Sequence, residues 1–441
     1  MLHFRPVSTA LCSVLALCAV PSARAELQFG RLVPDPPVAE PNDASNQVDV
    51  SADGRTLVFT TLASNWAVDA TGPNGKIVAV DLDSGLIEQV SETTAGAALS
   101  GIEPVVSENG TYVAFRNNGG VLDVGVPTSG WQVIRKDRVT GQLRLVSASA
   151  GGVAADREAR DPSISNDGRF VAFRSGAFNL GYVNSSNGYY QVYVKDVITG
   201  EIDAASRTTA GALPDVVNDM TAHALSGDGR YVVFSNNANG MVAGLDNTGG
   251  TGHVYARDVV ADATELITRN SSGQPADRGS DYAAISPGGR YVSFRSFAFN
   301  LGGTPGTNSG VYVRDRLAGT TAPVPRPTVA GQLANSCRES DVSDAGTVMM
   351  TCTFPAPVRD QVMLHVPGAN GTPFLVSSDV ADVPGDAGSG ASVAVDASGL
   401  SMAFESQATN LVAGDANARA DIFVLVDDAV LSGIFADGFE D

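Results

Sequence analysis

Histidine is scarce in this chain. There are four in 441 residues, and His223, His253 and His365 stand far apart while His3 lies in an expected leader. No Gly-x-Ser-x-Gly, His-Glu-x-x-His or Cys-x-x-Cys occurs. These absences exclude a nucleophile elbow, a zincin helix and a dithiol redox pair. Lys and Arg number 28 against 48 Asp and Glu, which makes nucleic acid and anionic membrane poor partners. After the first 25 residues no run of 18 apolar residues remains, so no membrane insertion is expected and the mature chain should be soluble. Charged residues are only 17% and helix-forming runs are few, whereas glycine reaches 48. Such a balance suits many strands joined by many turns.

What the chain does have is a repeat. Ser163-Ile164-Ser165-Asn166-Asp167-Gly168-Arg169-Phe170-Val171-Ala172-Phe173 places two apolar runs around Asn-Asp-Gly, a tight hairpin signal. A third strand follows at Gln191 to Asp196, and a Thr199-Gly200 turn leads to a fourth at Glu201 to Ser206. The turn glycine recurs as Gly54, Gly110, Gly168, Gly229, Gly289, Gly346 and Gly399. Near-constant spacing over the whole length marks a repeat architecture. Five residues after each glycine stands Phe59, Phe115, Phe173, Phe234, Phe294, Thr351 or Phe404, a ring suited to wedge packing between units. The expected fold is all-β: a seven-bladed β-propeller of four-stranded antiparallel blades.

Five third strands end in aspartate, at Asp81, Asp137, Asp196, Asp258 and Asp315, where the side chain is expected to bond turn amides. Together, Ser-x-Asp-Gly-Arg-x-Val-x-Phe and Val-Tyr-x-[Arg/Lys]-Asp resemble the repeats of the TolB-like propeller family, a bacterial relative of WD repeats. The resemblance covers residues 46 to 426. It implies a propeller and leaves its use open, because such rings serve as binding modules and as enzymes.

Residues 1–25 read as a secretory signal peptide. Arg5 precedes an apolar core at 10–20, and Ala23-Arg24-Ala25 is a small-x-small cleavage site. A secreted or periplasmic protein is expected, with residues 26–426 forming the propeller and 427–441 a tail. Its last residues, Ile434 to Asp441, resemble short Asp-Gly-Phe-Glu tails of some secreted proteins. The seventh unit has no fourth strand of its own, and Glu26 to Val33 is a spare one. Closure of the ring by that N-terminal strand would complete the last blade and remove an open edge. Cys337 and Cys352 flank the hairpin of blade 6, the blade that lacks its phenylalanine, and a disulfide between them is expected.

The hairpin turns and third-to-fourth turns are short and share one face. The other face carries long loops, and insertions on one face of a repeat usually mark the binding face. Trp66, Phe178, Tyr182, Tyr189, Tyr190 and Phe299 fall in or near those loops and are candidates to line a glycan or peptide groove. Five loops begin with a repeated asparagine, such as Asn65, Asn179 and Asn300, expected to cap a turn. Glu103, Asp161, Asp281 and Glu339 precede inner strands and could ring the channel mouth, binding a cation or raising one another's pKa. Asp415, Asn417 and Asp421 alternate as calcium ligands do, although Arg419 interrupts them and no bidentate Glu follows. Calcium is therefore the one cofactor the sequence offers. The leading expectation is a non-catalytic, monomeric scaffold binding a protein or glycan through the loop face. The alternatives are a lyase or hydrolase acting on polysaccharide or lactone at the channel mouth, and a calcium-dependent surface or adhesion protein.

Overall fold

The computed structural model describes residues 3–6, 27–32, 40–66, 75–119, 130–182, 188–303, 309–368, 371–379, 381–412 and 414–427. The expected cleavage point after Ala25 and the segment 428–441 lie outside them. Among the described residues there is no helix; seven antiparallel blades form a ring. Blade 3 is typical: Ala159–Ile164 innermost, then Phe170–Ser175, Gln191–Asp196 and Ile202–Ala204. Blade 4 departs from the pattern. It has three strands, Tyr231–Asn236, His253–Asp258 and Ala263–Leu266, with its inner edge reduced to two bridges, Asp219↔Ser235 and Leu225↔Val232. In blade 7, Leu27–Arg31 pairs antiparallel with Asp421–Asp427, and His3–Pro6 pairs outside it.

The repeat residues act as their chemistry dictates. Phe59, Phe115, Phe173, Phe234, Phe294 and Phe404 are all fully buried. Four of them face a third-strand ring, as Phe173 faces Tyr193 at 5.7 Å. In four of the five Asp turns one carboxylate oxygen accepts two amides, while Asp81 Oδ1 takes the amide and hydroxyl of Ser84. Asp196 Oδ1 takes Ile198 N at 2.8 Å and Thr199 N at 3.1 Å. Its other oxygen accepts Arg169 of the hairpin at 2.9 and 2.6 Å, and Arg230–Asp258 and Arg290–Asp315 repeat the pair. The turn glycine also sets blade spacing. A Cβ on Gly168 would stand 2.2 Å from Tyr112 of blade 2, and one on Gly229 would stand 2.3 Å from Phe170 of blade 3, so a side chain would push neighbouring blades apart.

Blade 6 makes up for its missing ring. Thr351 Oγ1 donates to the Gly390 carbonyl at 2.5 Å, and a Cβ on Gly390 would clash with Thr351 and Val362; blade 7 has moved in over the smaller side chain. Cys337 and Cys352 are register partners on the first two strands, with Cα atoms 4.0 Å apart, and form a disulfide. The bond fits an extracytoplasmic setting.

Candidate binding face and channel

The inner strands share a kink. Pairing shifts register at the same place in blades 1, 2, 3, 5, 6 and 7. The extra residue is left-handed at Gln47 (φ 54°), Glu103 (φ 53°), Asp161 (φ 52°), Tyr282 (φ 47°) and Glu339 (φ 41°), with Gly390 in blade 7. A bulge re-aims a side chain, and a non-glycine residue held there costs about 1–3 kcal/mol. Successive blades use the bulge to hold one another. Glu103 N donates to Gln47 Oε1, Asp161 N to Glu103 Oε2, and Gln47 N to Glu405 Oε2, each at 2.9 Å.

These residues surround a basin of about 390 Å³ at the loop-face end of the channel. Glu103, Asp161, Asp219 and Glu339 line it against one cation, Arg174. Three of the four acids expected at the mouth are there. Asp281 is one residue off: it makes a two-pronged pair with Arg295 at 2.6 Å on each oxygen, and Tyr282 takes the bulge position. Glu103 accepts Arg116 Nη1 at 2.6 Å, and Asp161 accepts Arg174 Nε at 2.6 Å. Glu339 has no hydrogen-bond or ion-pair partner among the described residues. Burial pushes its carboxyl above the ordinary range, and does the same to Glu405 and Asp161. Among the described residues no three His, Cys, Asp or Glu side chains are grouped to hold a metal ion.

Below the basin the channel narrows to a throat. A second cavity of about 60 Å³ opens toward the hairpin turns, and His223 borders both spaces. From blade 4 its Nδ1 lies 3.8 Å from Asp49 of blade 1 and 3.6 Å from Asp341 of blade 6. Asp49 also accepts Val50 N and Val106 N, and Asp341 accepts Val342 N and Val395 N, so each acid bridges to the next blade. Burial raises Asp49 to about 6 against the pull of His223, and raises Asp341 too. Burial works to lower His223, yet the carboxylates of Asp341 and Asp49 outweigh it and leave the imidazole above its usual value.

The aromatic candidates divide. Trp66 is 1% exposed and packs edge-on against Phe59; it is core, because an indole next to the wedge ring is worth more buried than wet. Tyr182 donates to Asp203 at 2.7 Å and leans on Tyr193. Tyr190 bonds Glu158 and Arg160 and lies under Arg160. Tyr189 is half-buried. Phe178 and Phe299 are the exposed pair, each beneath an arginine. The repeated asparagine does more than cap a turn. Asn179 Nδ2 donates to the Ala154 carbonyl, its Oδ1 accepts Asp156 N, and Asp156 Oδ1 accepts Phe178 N. This clasp ties the loop to the segment entering the blade. It recurs at Asn65 with Asn42, Asn300 with Asp277, and Asn410 with Asp386.

The calcium-like loop already faces a cation. Arg31 of the N-terminal strand reaches Asp421 at 3.2 Å and Asp415 at 3.3 Å, with Glu40 at 3.7 Å. Asn417 Nδ2 donates to the Pro41 carbonyl. Burial lifts Asp421 to about 6 in spite of Arg31.

No family model matches the chain, and no curated protein matches it. Solved structures do. An oligogalacturonate lyase in complex with manganese is 12% identical, with TM-score 0.53 and 97% of each chain covered. A prolyl endopeptidase is 12% identical, with TM-score 0.51, over 86% of this chain and 50% of that one. TolB from Acinetobacter baumannii is 15% identical, with TM-score 0.39, over 73% of this chain and 61% of that one. At such identities the likeness shows the fold alone.

Gln47, Asp49, Tyr282, His223, Asp341 and Glu405 were not singled out in the sequence. One signal was readable. Asp49-Val50-Ser51 and Asp341-Val342-Ser343 put an acid where an inner strand of every other blade has Val, Ser or Ala.

Proposed function

We propose that the protein is a non-catalytic, extracytoplasmic binding propeller whose loop face holds a segment of a partner protein, with a basic side chain of that partner seated in the mouth basin. The observation that carries this reading is Glu339, a half-buried carboxylate with no hydrogen-bond or ion-pair partner among the described residues, in a basin with four acids and one arginine. A lysine or arginine head would relieve its burial and form a charge-assisted bond. A short oligolysine peptide is the probe. Titration calorimetry should show binding that weakens with salt, and Glu339→Gln should weaken it about tenfold. Equal affinity in the variant would place the site elsewhere.

The enzyme reading draws on one observation, the imidazole of His223 at the basin floor with two carboxylates 3.6 and 3.8 Å from Nδ1, charges that favour its protonated form. Turnover of a polysaccharide or lactone, abolished by His223→Asn with the fold intact, would favour it. The calcium-dependent reading would need Asp415 and Asp421 to release Arg31 for a metal, and a calcium-dependent rise in melting temperature would support that.

A further inference from the structure

We propose that blades 3 and 5 carry a matched pair of carboxylate-binding clamps, Arg157 on Phe178 and Arg278 on Phe299, which take acidic side chains of the partner segment; the inference rests on the loop face being the binding surface. The guanidinium carbon lies 4.5 Å from the ring centre in blade 3 and 4.0 Å in blade 5. Both arginines are exposed, and neither guanidinium has a hydrogen-bond or ion-pair partner among the described residues. Among the described residues most other arginines are answered by a carboxylate or a carbonyl, as Arg116, Arg169, Arg174, Arg230 and Arg290 are; Arg144 and Arg359 are exceptions. Both rings stay out of the core, at 40% and 37% exposure. In blade 3 the slot is tightened by Gly188, where a Cβ would stand 2.4 Å from Nη1 of Arg157.

The fold supplies its own control. Each clamp sits on an asparagine clasp, with the arginine one residue after the clasp acid and the phenylalanine one residue before the clasp asparagine. Blades 1 and 7 build the same clasp with Asp43 and Ser64, and with Ala387 and Thr409, at those places. The clasp therefore does not need an arginine or a phenylalanine. Two exposed rings under two unanswered cations are surplus to folding. A guanidinium lying flat on a ring keeps its edge free for two parallel bonds to a carboxylate, in a fixed plane. With a basic side chain in the basin between them, the partner segment is one of mixed charge, acidic on either side of a lysine or arginine.

The test uses the full chain and two fluorescent probes at physiological ionic strength, a short polyglutamate peptide and a uronate oligomer of equal charge. Polyglutamate should bind, and Arg157→Ala with Arg278→Ala should weaken it about tenfold or more while the thermal midpoint and oligolysine binding stay unchanged. The double lysine variant keeps the charges and loses the flat fork, so it should not restore affinity. Failure of polyglutamate to bind the parent, undiminished binding in the double alanine variant, or full rescue by lysine would overturn the clamps. Clamp-dependent binding of the uronate alone would overturn the protein partner. Because oligolysine reads the basin through Glu339 and polyglutamate reads the clamps, loss of one proposal is visible apart from the other.

Discussion

In the throat, Asp49 and Asp341 each accept two backbone amides, and His223 faces both acids from across the ring. In the mouth, two residues earlier on the same inner strand as Asp341, Glu339 has no hydrogen-bond or ion-pair partner among the described residues, and Arg338 and Arg295 act on it only at a distance. The throat acids are buried and Glu339 is half-buried, and burial raises both sets. The difference lies in what answers the charge. Throat acids bond the amide of the next blade's inner strand, so they belong to the cohesion of the ring. Arg31 with Asp421 and Asp415 is a second set of this kind, at the seam between the N-terminal strand and blade 7. A carboxylate answered by backbone is structural, and one left unanswered in a cavity is available to a ligand.

The strongest way to break that comparison is at the seam. Arg31→Ala leaves two buried carboxylates without a cation and should cost about 3–5 kcal/mol in urea unfolding at pH 8. The loss should shrink at pH 5, where Asp421, already raised to about 6, can take up a proton. A seam variant as stable as the parent at pH 8 would show that the N-terminal strand is not held by charge. In the throat, Asp341→Ala strands the amides of Val342 and Val395 and should cost about 3 kcal/mol. A loss under about 0.5 kcal/mol would move Asp341 to the ligand-available class.

The ring was legible because its determinants are local and repeated. Ser165, Asp167 and Gly168 set a turn, Phe173 sets a wedge, and Asp196 caps the next turn, all from residues close in sequence. The disulfide was legible for the same reason, since Cys337 and Cys352 sit at similar distances from one turn. The site was legible only in part. Glu103, Asp161 and Glu339 each stand seven residues before the turn glycine, so counting back from the hairpin places them, whereas Asp281 stands eight before Gly289 and Tyr282 takes the equivalent place. His223 and Arg31 could not be found this way. Each meets carboxylates more than a hundred residues away, across the ring or across its seam, and nothing in the local pattern encodes such a pairing. Trp66 went astray because a loop position near a wedge phenylalanine can point inward.

The three histidines of the ring, His223, His253 and His365, sharpen the comparison at smaller scale. His223 is raised by Asp341 and Asp49 against burial, whereas burial without a countering charge lowers His253 and His365. Stability from His223 is fully present below its ordinary 6.5 and is lost as pH rises through its higher folded value. Asp49 acts in the same sense. Between 3.8 and about 6 the folded state holds the proton better than the unfolded chain, so stability falls as pH rises through that window. His223→Asn should flatten the decline of stability from pH 5 to pH 8 by on the order of 1 kcal/mol. Ring-proton titration by NMR should place one histidine above 6.5 and two below it. Three values below 6.5 would remove the ion pair from the throat.

The smallest effect belongs to Glu339, and its sign separates mouth from throat. Burial raises its carboxyl above the ordinary 4.5, so the folded protein bears the cost of an ionised Glu339 at high pH and is relieved of it as the acid protonates. An amide of the same shape never bears that cost. Glu339→Gln should therefore stabilise the protein by a few tenths of a kcal/mol, up to about 1 kcal/mol, at pH 8, and the gain should vanish near pH 4. Replacing a throat acid cannot behave this way, because its oxygens are already engaged by amides that glutamine or asparagine would answer on one side only. Urea midpoints of the variant and the parent at the two pH values read the difference directly. Destabilisation of more than about 1 kcal/mol at pH 8 would mean that Glu339 holds the ring together as Asp341 does, and the mouth would lose its claim to be the open end of the channel.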